Sequence, residues 1–194
     1  MTMPFDLMTD VTDDALLILF ANGDAAAARM LALRLAPRVL SVAARLLSDR
    51  TEAEDVTQEA MLRLWRIAPD WRQGEAKVTT WLYRVTVNLC TDRLRRRRGV
   101  ALEDAPEVED DAPSVEGRMM DRDRVAALEA ALARLPDRQR QAVVLRHIEG
   151  LPNPEIAAIL GIGVEAVESL TARGKRALAA MLGDRRAELG YEEG

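Results

Sequence analysis

The order of apolar and polar side chains predicts a chain built from helices. Apolar residues recur every three or four positions over most of its length, which is the period of an amphipathic helix. The spacing predicts helices over about 13–20, 25–47, 52–67, 79–98, 119–135 and 137–150, and then two shorter ones up to about 178. Alanine, leucine and arginine dominate, whereas aromatic residues make up only 4%. This composition favours helices over strands, so we expect an all-α fold.

Local signals indicate where several of these helices begin. Side chains that can cap a helix N-terminus precede three of them: Thr12, Asp24 and Asn153. Thr51, followed three residues later by Glu54, has the pattern of a capping box. Pro37 falls inside the second predicted helix, and we expect it to kink or interrupt that helix.

The distribution of charge divides the chain into two domains. The net charge is −5, yet residues 1–100 carry a net +2, residues 101–123 a net −7 and residues 124–194 a net zero. The acidic stretch is rich in Asp, Glu, Pro and Ala and has few apolar side chains, a composition typical of disordered segments. We therefore expect two small helical domains, 12–98 and 119–182, joined by a flexible acidic linker over 99–118.

Composition gives little support to an enzyme or a metal protein. The single cysteine, Cys90, and the single histidine, His147, exclude the usual zinc spacings, and we interpret both as structural. The carboxylates form no catalytic dyad or metal-ligand pattern, and no glycine-rich phosphate loop is present. We expect no cofactor, no metal, no catalytic residue and no small-molecule substrate.

The chain is also expected to stay in the cytoplasm. No apolar run reaches the length of about 18 residues that a membrane span needs. The N-terminus lacks the cationic start and apolar run of a signal peptide. A lone cysteine agrees with a reducing compartment.

The helix predicted over 79–98 combines aromatic rings, an amide and a block of cations. Leu82, Val85 and Leu89 form its apolar stripe, while Trp81, Tyr83, Asn88 and Arg95–Arg98 lie partly or wholly off it. Rings stack on bases for about 1–3 kcal/mol each and cations follow phosphates, so this set suits single-stranded nucleic acid. The alternative is that the rings are core residues and the arginines only a soluble helix end.

The C-terminal part has the pattern of a helix-turn-helix. A short helix with small Ala157 ends at Gly161, and a longer helix follows that ends in cations. A plain helical hairpin is the alternative. The side chains expected to face a major groove are Glu168, Ser169, Thr171, Ala172, Arg173, Lys175 and Arg176. Glu165 is interpreted as an acid that complements the helix dipole.

A charged helix face supplies a third candidate site. Asp55, Gln58, Glu59, Arg63 and Arg66 lie opposite the apolar stripe of the helix predicted over 52–67. Such a face is usually only solvated, but it is also suited to dock a partner helix.

Together these segments resemble a bacterial sigma factor of the extracytoplasmic-function class. Residues 55–66, Asp-Val-Thr-Gln-Glu-Ala-Met-Leu-Arg-Leu-Trp-Arg, are similar to the segment that docks on core RNA polymerase in that family. Residues 80–88, Thr-Trp-Leu-Tyr-Arg-Val-Thr-Val-Asn, are similar to its signature in the second conserved region. Residues 135–178 are similar to the fourth region. The resemblance spans about 12–98 and 124–180.

The resemblance implies a transcription initiation factor with several partners. The first domain would bind core RNA polymerase through Asp55, Gln58, Glu59, Arg63 and Arg66. It would hold the melted non-template strand of the −10 element, and an anti-sigma factor would control the protein. The residues expected to contact this strand include the cations of the helix predicted over 79–98. They are Gln73, Lys77, Arg84, Asn88, Arg95, Arg96, Arg97 and Arg98. The groove-facing residues of the C-terminal helix would contact the −35 element as duplex DNA.

The recognition helix departs from the family pattern at two positions. Glu168 and Leu170 stand where cations are usual, which puts the −35 specificity in doubt and suggests a cytosine contact or weaker phosphate binding. These two positions leave open an inactive sigma-like interaction protein as an alternative. A second alternative is a stand-alone helix-turn-helix regulator whose N-terminal domain senses a signal or dimerises.

Overall fold

The structure is an arrangement of helices in two halves. The computed structural model describes residues 10–72, 74–101 and 119–183, and in these ranges it contains helices and no strand. The first half comprises α1 (Asp13–Ala21), α2 (Ala25–Leu47), α3 (Arg50–Ile67), a 3₁₀ turn (Ala68–Asp70) and α4 (Val78–Ala101). The second comprises α5 (Met119–Ala133), α6 (Asp137–Val143) with a π turn (Val144–Ile148), α7 (Asn153–Leu160) and α8 (Val164–Gly183). The expected all-α class is confirmed.

The first half is organised around α2. Its buried stripe includes Leu31, Leu35 and Val39, which belong to one apolar cluster with Leu16 and Leu17 of α1. The same cluster takes in side chains of α3 and α4, among them Ala60, Leu64 and Leu82. Burial of this shared face stabilises helices whose own propensities would be marginal.

Two of the predicted caps are confirmed, and two helix starts were predicted wrongly. Thr12 Oγ1 accepts a hydrogen bond from the Ala15 amide at 3.3 Å, and Asp24 Oδ1 accepts from the Ala26 and Ala27 amides. Asp49, and not Thr51, caps α3. Asn153 is the first residue of α7 rather than its cap, because Pro152 precedes it with an extended backbone and no side-chain cap.

Other boundaries also differ from the sequence-based expectation. Pro37 does not interrupt α2, which runs unbroken from Ala25 to Leu47. α4 begins at Val78 and continues through Gly99 to Ala101, so the first residues expected in the linker are helical. The rest of that predicted linker, 102–118, lies outside the described residues.

The second half contains the predicted helix-turn-helix. Gly161 follows α7 in the left-handed conformation, with φ +65°, and directs the chain into α8. Gly174, in the middle of α8, is buried. A Cβ placed there would lie 2.5 Å from Val143 Cγ2 of α6. Gly174 is therefore what allows α6 and α8 to approach each other.

The two halves share one hydrophobic cluster. Tyr83, Val87 and Cys90 of α4 belong to the same buried cluster as the core of α6 and α7, including Val143 and Ile156. The two helical domains predicted from the sequence are in contact in the described chain: α7 packs against α4, and α6 reaches α4 through side-chain hydrogen bonds.

Candidate nucleic-acid and polymerase interfaces

The charged face of α3 is open to solvent. Asp55, Gln58, Arg63 and Arg66 are exposed, and Glu59 is half-buried. Their charges are only partly neutralised within the chain. Arg63 Nε donates to Glu59 Oε1 at 2.8 Å, while Asp55 lies 3.6 Å from an Arg93 nitrogen of α4. All five predicted residues thus lie on one accessible helix face that presents carboxylates, an amide and guanidinium groups.

The arginine block at the end of α4 divides into two kinds of residue. Arg95 and Arg96 are exposed, and neither forms an ion pair with a described residue. Arg97 is half-buried, and its guanidinium donates to Asp49 at 2.7 Å, to Glu52 at 3.1 Å and to the Leu47 carbonyl. This geometry favours a structural role for Arg97, which fastens α4 to the start of α3.

The remaining residues predicted for the strand-binding surface are spread along α4 and the loop before it. Arg84 and Asn88 are exposed. Lys77, just before α4, forms an ion pair with Glu155 of α7. Arg98 forms one with Asp137 of α6. Gln73 lies outside the described residues.

A groove separates Asn88 from the second half. Asn88 and Arg95 of α4 line one wall, Arg138 and Leu160 line the other, and the groove has a volume of about 390 Å³. Arg138 Nη1 donates to the Leu160 carbonyl at 3.3 Å. The groove is polar and carries more cationic than anionic side chains, which suits an anionic polymer.

Tyr83 is buried and does not form part of the open surface. It is 2% exposed, and its hydroxyl donates to Glu149 Oε2. The guanidinium of Arg38 lies 5.7 Å from the centre of the Tyr83 ring and 3.5 Å from the same Glu149 oxygen. Burial, reinforced by the Glu149 carboxylate, raises the pKa of the Tyr83 hydroxyl. Trp81 is half-buried and packs edge-to-face against Trp71. These rings therefore belong to the scaffold.

α8, the second helix of the helix-turn-helix, exposes most of the residues predicted to face a major groove. Six are exposed: Glu168, Ser169, Ala172, Arg173, Lys175 and Arg176. Thr171 is half-buried, and its hydroxyl oxygen is buried without a hydrogen-bond partner among the described residues. Leu170 packs against the shared cluster, which explains an apolar residue at that position.

Glu168 is held in place by the neighbouring helix. Asn153 Nδ2, at the start of α7, donates to Glu168 Oε1 at 3.4 Å. The carboxylate is therefore oriented and partly satisfied, although it stays exposed. An oriented carboxylate can accept a hydrogen bond from a cytosine amino group in the major groove.

Two buried polar groups lie where α4 meets α6. Arg140 is 5% exposed, and its desolvation lowers the pKa of its guanidinium. Cys90 is fully buried, and burial raises the pKa of its thiol to about 12. Among the described residues, no group of three or more His, Cys, Asp or Glu side chains is placed to hold a metal ion. Over the same part of the chain, no helix is long and apolar enough to cross a membrane.

Comparison with known proteins decides the family. A family model of Sigma-70 region 2 matches residues 31–100, and one of Sigma-70 region 4 matches residues 126–178. The ECF RNA polymerase sigma factor SigM of Mycobacterium tuberculosis is 39% identical over 150 residues, which cover 75% of this chain and 72% of that protein. The chain belongs to the ECF class of RNA polymerase sigma factors.

Two further relatives of this sigma factor agree. The ECF sigma factor SigE of Mycolicibacterium smegmatis is 40% identical over 147 residues, which cover 74% of this chain but only 56% of that protein. The structure of CnrH in complex with the cytosolic domain of CnrY superposes with a TM-score of 0.66 at 28% identity, covering 89% of this chain and 97% of that one. The resemblance inferred from the sequence motifs is confirmed.

Two packing features of the sigma factor were not predicted from the sequence: the contact of Tyr83 with Glu149, and the close approach at Gly174. Tyr83 and Glu149 meet across the two halves, and no pattern within either helix signals that contact. Gly174 was not singled out, although a glycine inside a strongly periodic helix is itself a signal of close packing.

Proposed function

We propose that the chain binds core RNA polymerase and directs it to promoters with a −10 and a −35 element. The observation that carries this proposal is that one chain with both sigma regions exposes two cation-bearing helices, α4 and α8, as well as the charged face of α3. A regulator that only bound a duplex operator would need α8 and would have no use for the other two surfaces.

Core polymerase docks on the α3 face in this proposal. Asp55, Gln58 and Arg66 are exposed to a partner, although Asp55 also lies within ion-pair distance of Arg93, and the Glu59–Arg63 pair orients the centre of the face. Exposed ion pairs contribute about 0–1 kcal/mol within the chain, so they are easily exchanged for contacts with a partner.

The −10 strand contacts α4. Asn88 supplies a side-chain amide that can both donate to and accept from a base edge. Arg84, Arg95 and Arg96 are exposed cations that can follow the backbone phosphates. Arg97 contributes indirectly, because its bonds to the start of α3 fix the direction of the helix end.

The −35 element binds in its major groove to α8. Arg173, Lys175 and Arg176 reach phosphates or guanines, and Ser169 and Ala172 allow the helix close approach. Glu168, oriented by Asn153, is expected to prefer a cytosine. Family members usually carry a cation at the position of Glu168. Because this chain lacks that cation, its −35 binding should depend less steeply on salt concentration.

The protein acts in the cytoplasm without catalysing a reaction, and an anti-sigma factor controls it. The CnrH structure, a complex with the cytosolic domain of CnrY, is an example of a related chain held by a protein partner. The exposed face of α3 is the surface for which such a partner would compete with polymerase.

A pull-down with purified core polymerase tests the proposal. A variant at Asn88 separates binding of core polymerase from melting of the promoter. Asn88→Ala should leave core binding intact and lower open-complex formation roughly tenfold, because a specific base contact is worth about 1–3 kcal/mol. Permanganate footprinting of a supercoiled promoter measures the open complex.

The matched control is Asn22→Ala, which truncates an exposed asparagine at the C-terminal end of α1, outside the proposed binding surfaces, and should change neither quantity. Failure of the unmodified chain to bind core polymerase would refute the proposal. An equal loss of core binding and melting in the Asn88 variant would refute the base-reading role.

A further inference from the structure

The side of α8 around Glu168 combines an oriented carboxylate with apolar surface. We propose that this side recognises two neighbouring base pairs: Glu168 accepts a hydrogen bond from a cytosine, and Thr171 and Ala172 contact the methyl group of a thymine one or two pairs away. Asn153 of α7 is the positioning residue for the carboxylate. The inference rests on the proposed binding of α8 to the −35 element, and it specifies which bases that element contains.

The Asn153 side chain bonds to the neighbouring helix and does not cap its own. It is the first residue of α7, and Pro152 before it supplies no side-chain cap. Its Nδ2 donates to Glu168 Oε1, 15 residues further along the chain, at 3.4 Å. This bond engages one carboxylate oxygen and leaves Oε2 available to a ligand. Because the exposed side chain is oriented before DNA arrives, less ordering cost remains to be met on binding.

A carboxylate at this position discriminates among the bases by the type of hydrogen bond. An ionised glutamate only accepts hydrogen bonds. In the major groove, guanine N7 and O6 and thymine O4 are acceptors and repel it, whereas cytosine N4 and adenine N6 are donors. Adenine N6 lies beside the N7 acceptor of the same ring, which disfavours a carboxylate, and cytosine carries no such acceptor beside N4 on its groove edge. Cytosine is therefore the base that Glu168 prefers.

Thr171 and Ala172 supply apolar surface next to this carboxylate. They follow Glu168 by three and four residues, the spacing at which side chains are neighbours on a helix surface. Ala172 is exposed and Thr171 is half-buried. Because the Thr171 hydroxyl oxygen is buried, without a hydrogen-bond partner among the described residues, its side chain offers a groove only its hydrocarbon part. The methyl groups of threonine and alanine suit the methyl group of thymine, which lies in the major groove.

Helix and DNA dimensions place the two contacts on neighbouring pairs. One helical turn advances about 5.4 Å along the axis of α8, and successive base pairs are about 3.4 Å apart. The methyl contact therefore falls one or two pairs from the cytosine. Three exposed cations of α8, Arg173, Lys175 and Arg176, can bind phosphates and offset the repulsion between the carboxylate and the DNA backbone.

Promoter selection by the reconstituted holoenzyme tests this recognition. Core polymerase with the full chain transcribes a duplex library whose promoter region is randomised, and the transcribed templates are sequenced. The −35 elements selected by the unmodified chain should share a C·G pair and, one or two pairs away, an A·T pair. Replacement of that thymine by uracil removes only a methyl group, and it should lower initiation about fourfold, as expected for one buried methyl group.

Glu168→Arg should change the base selected at the first pair from cytosine to guanine by roughly tenfold or more, because arginine donates to guanine N7 and O6. The matched control is Glu165→Arg, which makes the same change of charge at an exposed position one turn earlier on α8. It should strengthen binding to all sequences through the phosphates and leave the selected base unchanged. Both variants should still capture core polymerase, because the face of α3 is unaltered.

Asn153→Ala should lower the preference for cytosine severalfold, and it should have no effect on that preference once Glu168 is alanine. A positioning residue acts only through the group that it orients, whereas a general loss of folding would lower initiation from all sequences alike. Thr171→Val retains a methyl group and should keep the discrimination between thymine and uracil. Thr171→Ser lacks that methyl group and should reduce the discrimination.

A cytosine preference that survives Glu168→Arg, or a selected −35 element without a C·G pair, would overturn the inference and leave the proposed function intact. Equal initiation from thymine and uracil templates would contradict the methyl contact. An effect of Asn153→Ala on base preference in the absence of Glu168 would contradict the positioning role. If polymerase with the chain selects no −35 element, the proposed function fails and this inference fails with it.

Discussion

Tyr83 shows that a side chain can be placed on a helix from the sequence while its packing partner stays undetermined. Its ring lies at the edge of the apolar stripe of α4, so the sequence left open whether it stacks on a base. The structure buries it against Arg38 and Glu149, a residue 66 positions away along the chain. Periodicity describes the faces of one helix, but it contains no information on which distant helix packs there.

The buried thiol of Cys90 should make the free energy of unfolding depend on pH in the alkaline range. Burial raises the pKa of its thiol from 9.0 to about 12, against the opposing effect of Arg93 and Arg140. Between these values the folded chain holds a proton that the unfolded chain releases, so the free energy of unfolding should fall as the pH rises above about 9. Tyr83 shifts in the same direction above its ordinary value of 10.0.

Urea denaturation at a series of pH values measures the slope of the free energy of unfolding against pH. Cys90→Ala should lower stability at neutral pH, because it leaves a small cavity, and should make the slope just above pH 9 shallower. An unchanged slope in that variant would show that the thiol does not titrate as its burial requires.

Gly174 tests the close contact of α6 with α8. Gly174→Ala should destabilise the chain by about 1–3 kcal/mol, because the added Cβ would meet the stiff side chain of Val143 at 2.5 Å. Thermal or urea unfolding measures the change. The control is Gly99→Ala in α4, where a Cβ meets nothing within 4 Å; it should be neutral or stabilise by up to about 1 kcal/mol. A stabilised Gly174 variant would contradict the contact.

At the scale of helices, sequence signals located every described helix but not every end. Both Asp49 and Thr51 are good capping residues, and the sequence pattern favoured Thr51 through Glu54. Ser48 takes a left-handed conformation, with φ 53°, and this turn places Asp49 at the cap. Arg97 then binds Asp49 from α4. Which of the two residues caps α3 therefore depends on the backbone geometry at Ser48 and on a contact with a residue 48 positions away along the chain. A local sequence pattern contains neither.

Replacement of Asp49 tests this helix start. Asp49→Ala should destabilise the chain by about 0.5–2 kcal/mol, whereas Thr51→Ala should have an effect of a few tenths. The Glu52 amide, and then Arg97, lower the pKa of the Asp49 carboxyl against the opposing effect of its desolvation. Its charged form therefore stabilises the folded chain above the ordinary value of 3.8, and this contribution disappears as the pH falls below that value.

Denaturation of both variants near neutral pH and in acid measures the effect. The difference between Asp49→Ala and the unmodified chain should shrink in acid. A larger effect of Thr51→Ala at neutral pH would restore the capping box as the start of α3.

At the scale of the whole molecule, both regions and their family were predicted from the sequence. The packing of one region against the other was not. Each motif lies within one helix or one helix pair, so local spacing was sufficient to find α3, α4 and the helix-turn-helix. The acidic stretch predicts a flexible linker between the two domains, and this part of the expectation stays a prediction. Packing of Val87 and Cys90 against α6 and α7 depends on surface complementarity across the two halves, which no linear pattern records.

The central claim is that this chain confers promoter-specific initiation on core RNA polymerase. The most direct measurement is in vitro transcription from a random promoter library by core polymerase with the purified chain, followed by sequencing of the transcripts. We expect initiation from a subset of templates that share a −10 and a −35 element, and loss of that initiation when Asp55 and Glu59 are reversed to lysine. Transcripts no more numerous or selective than those of core polymerase alone would contradict the claim.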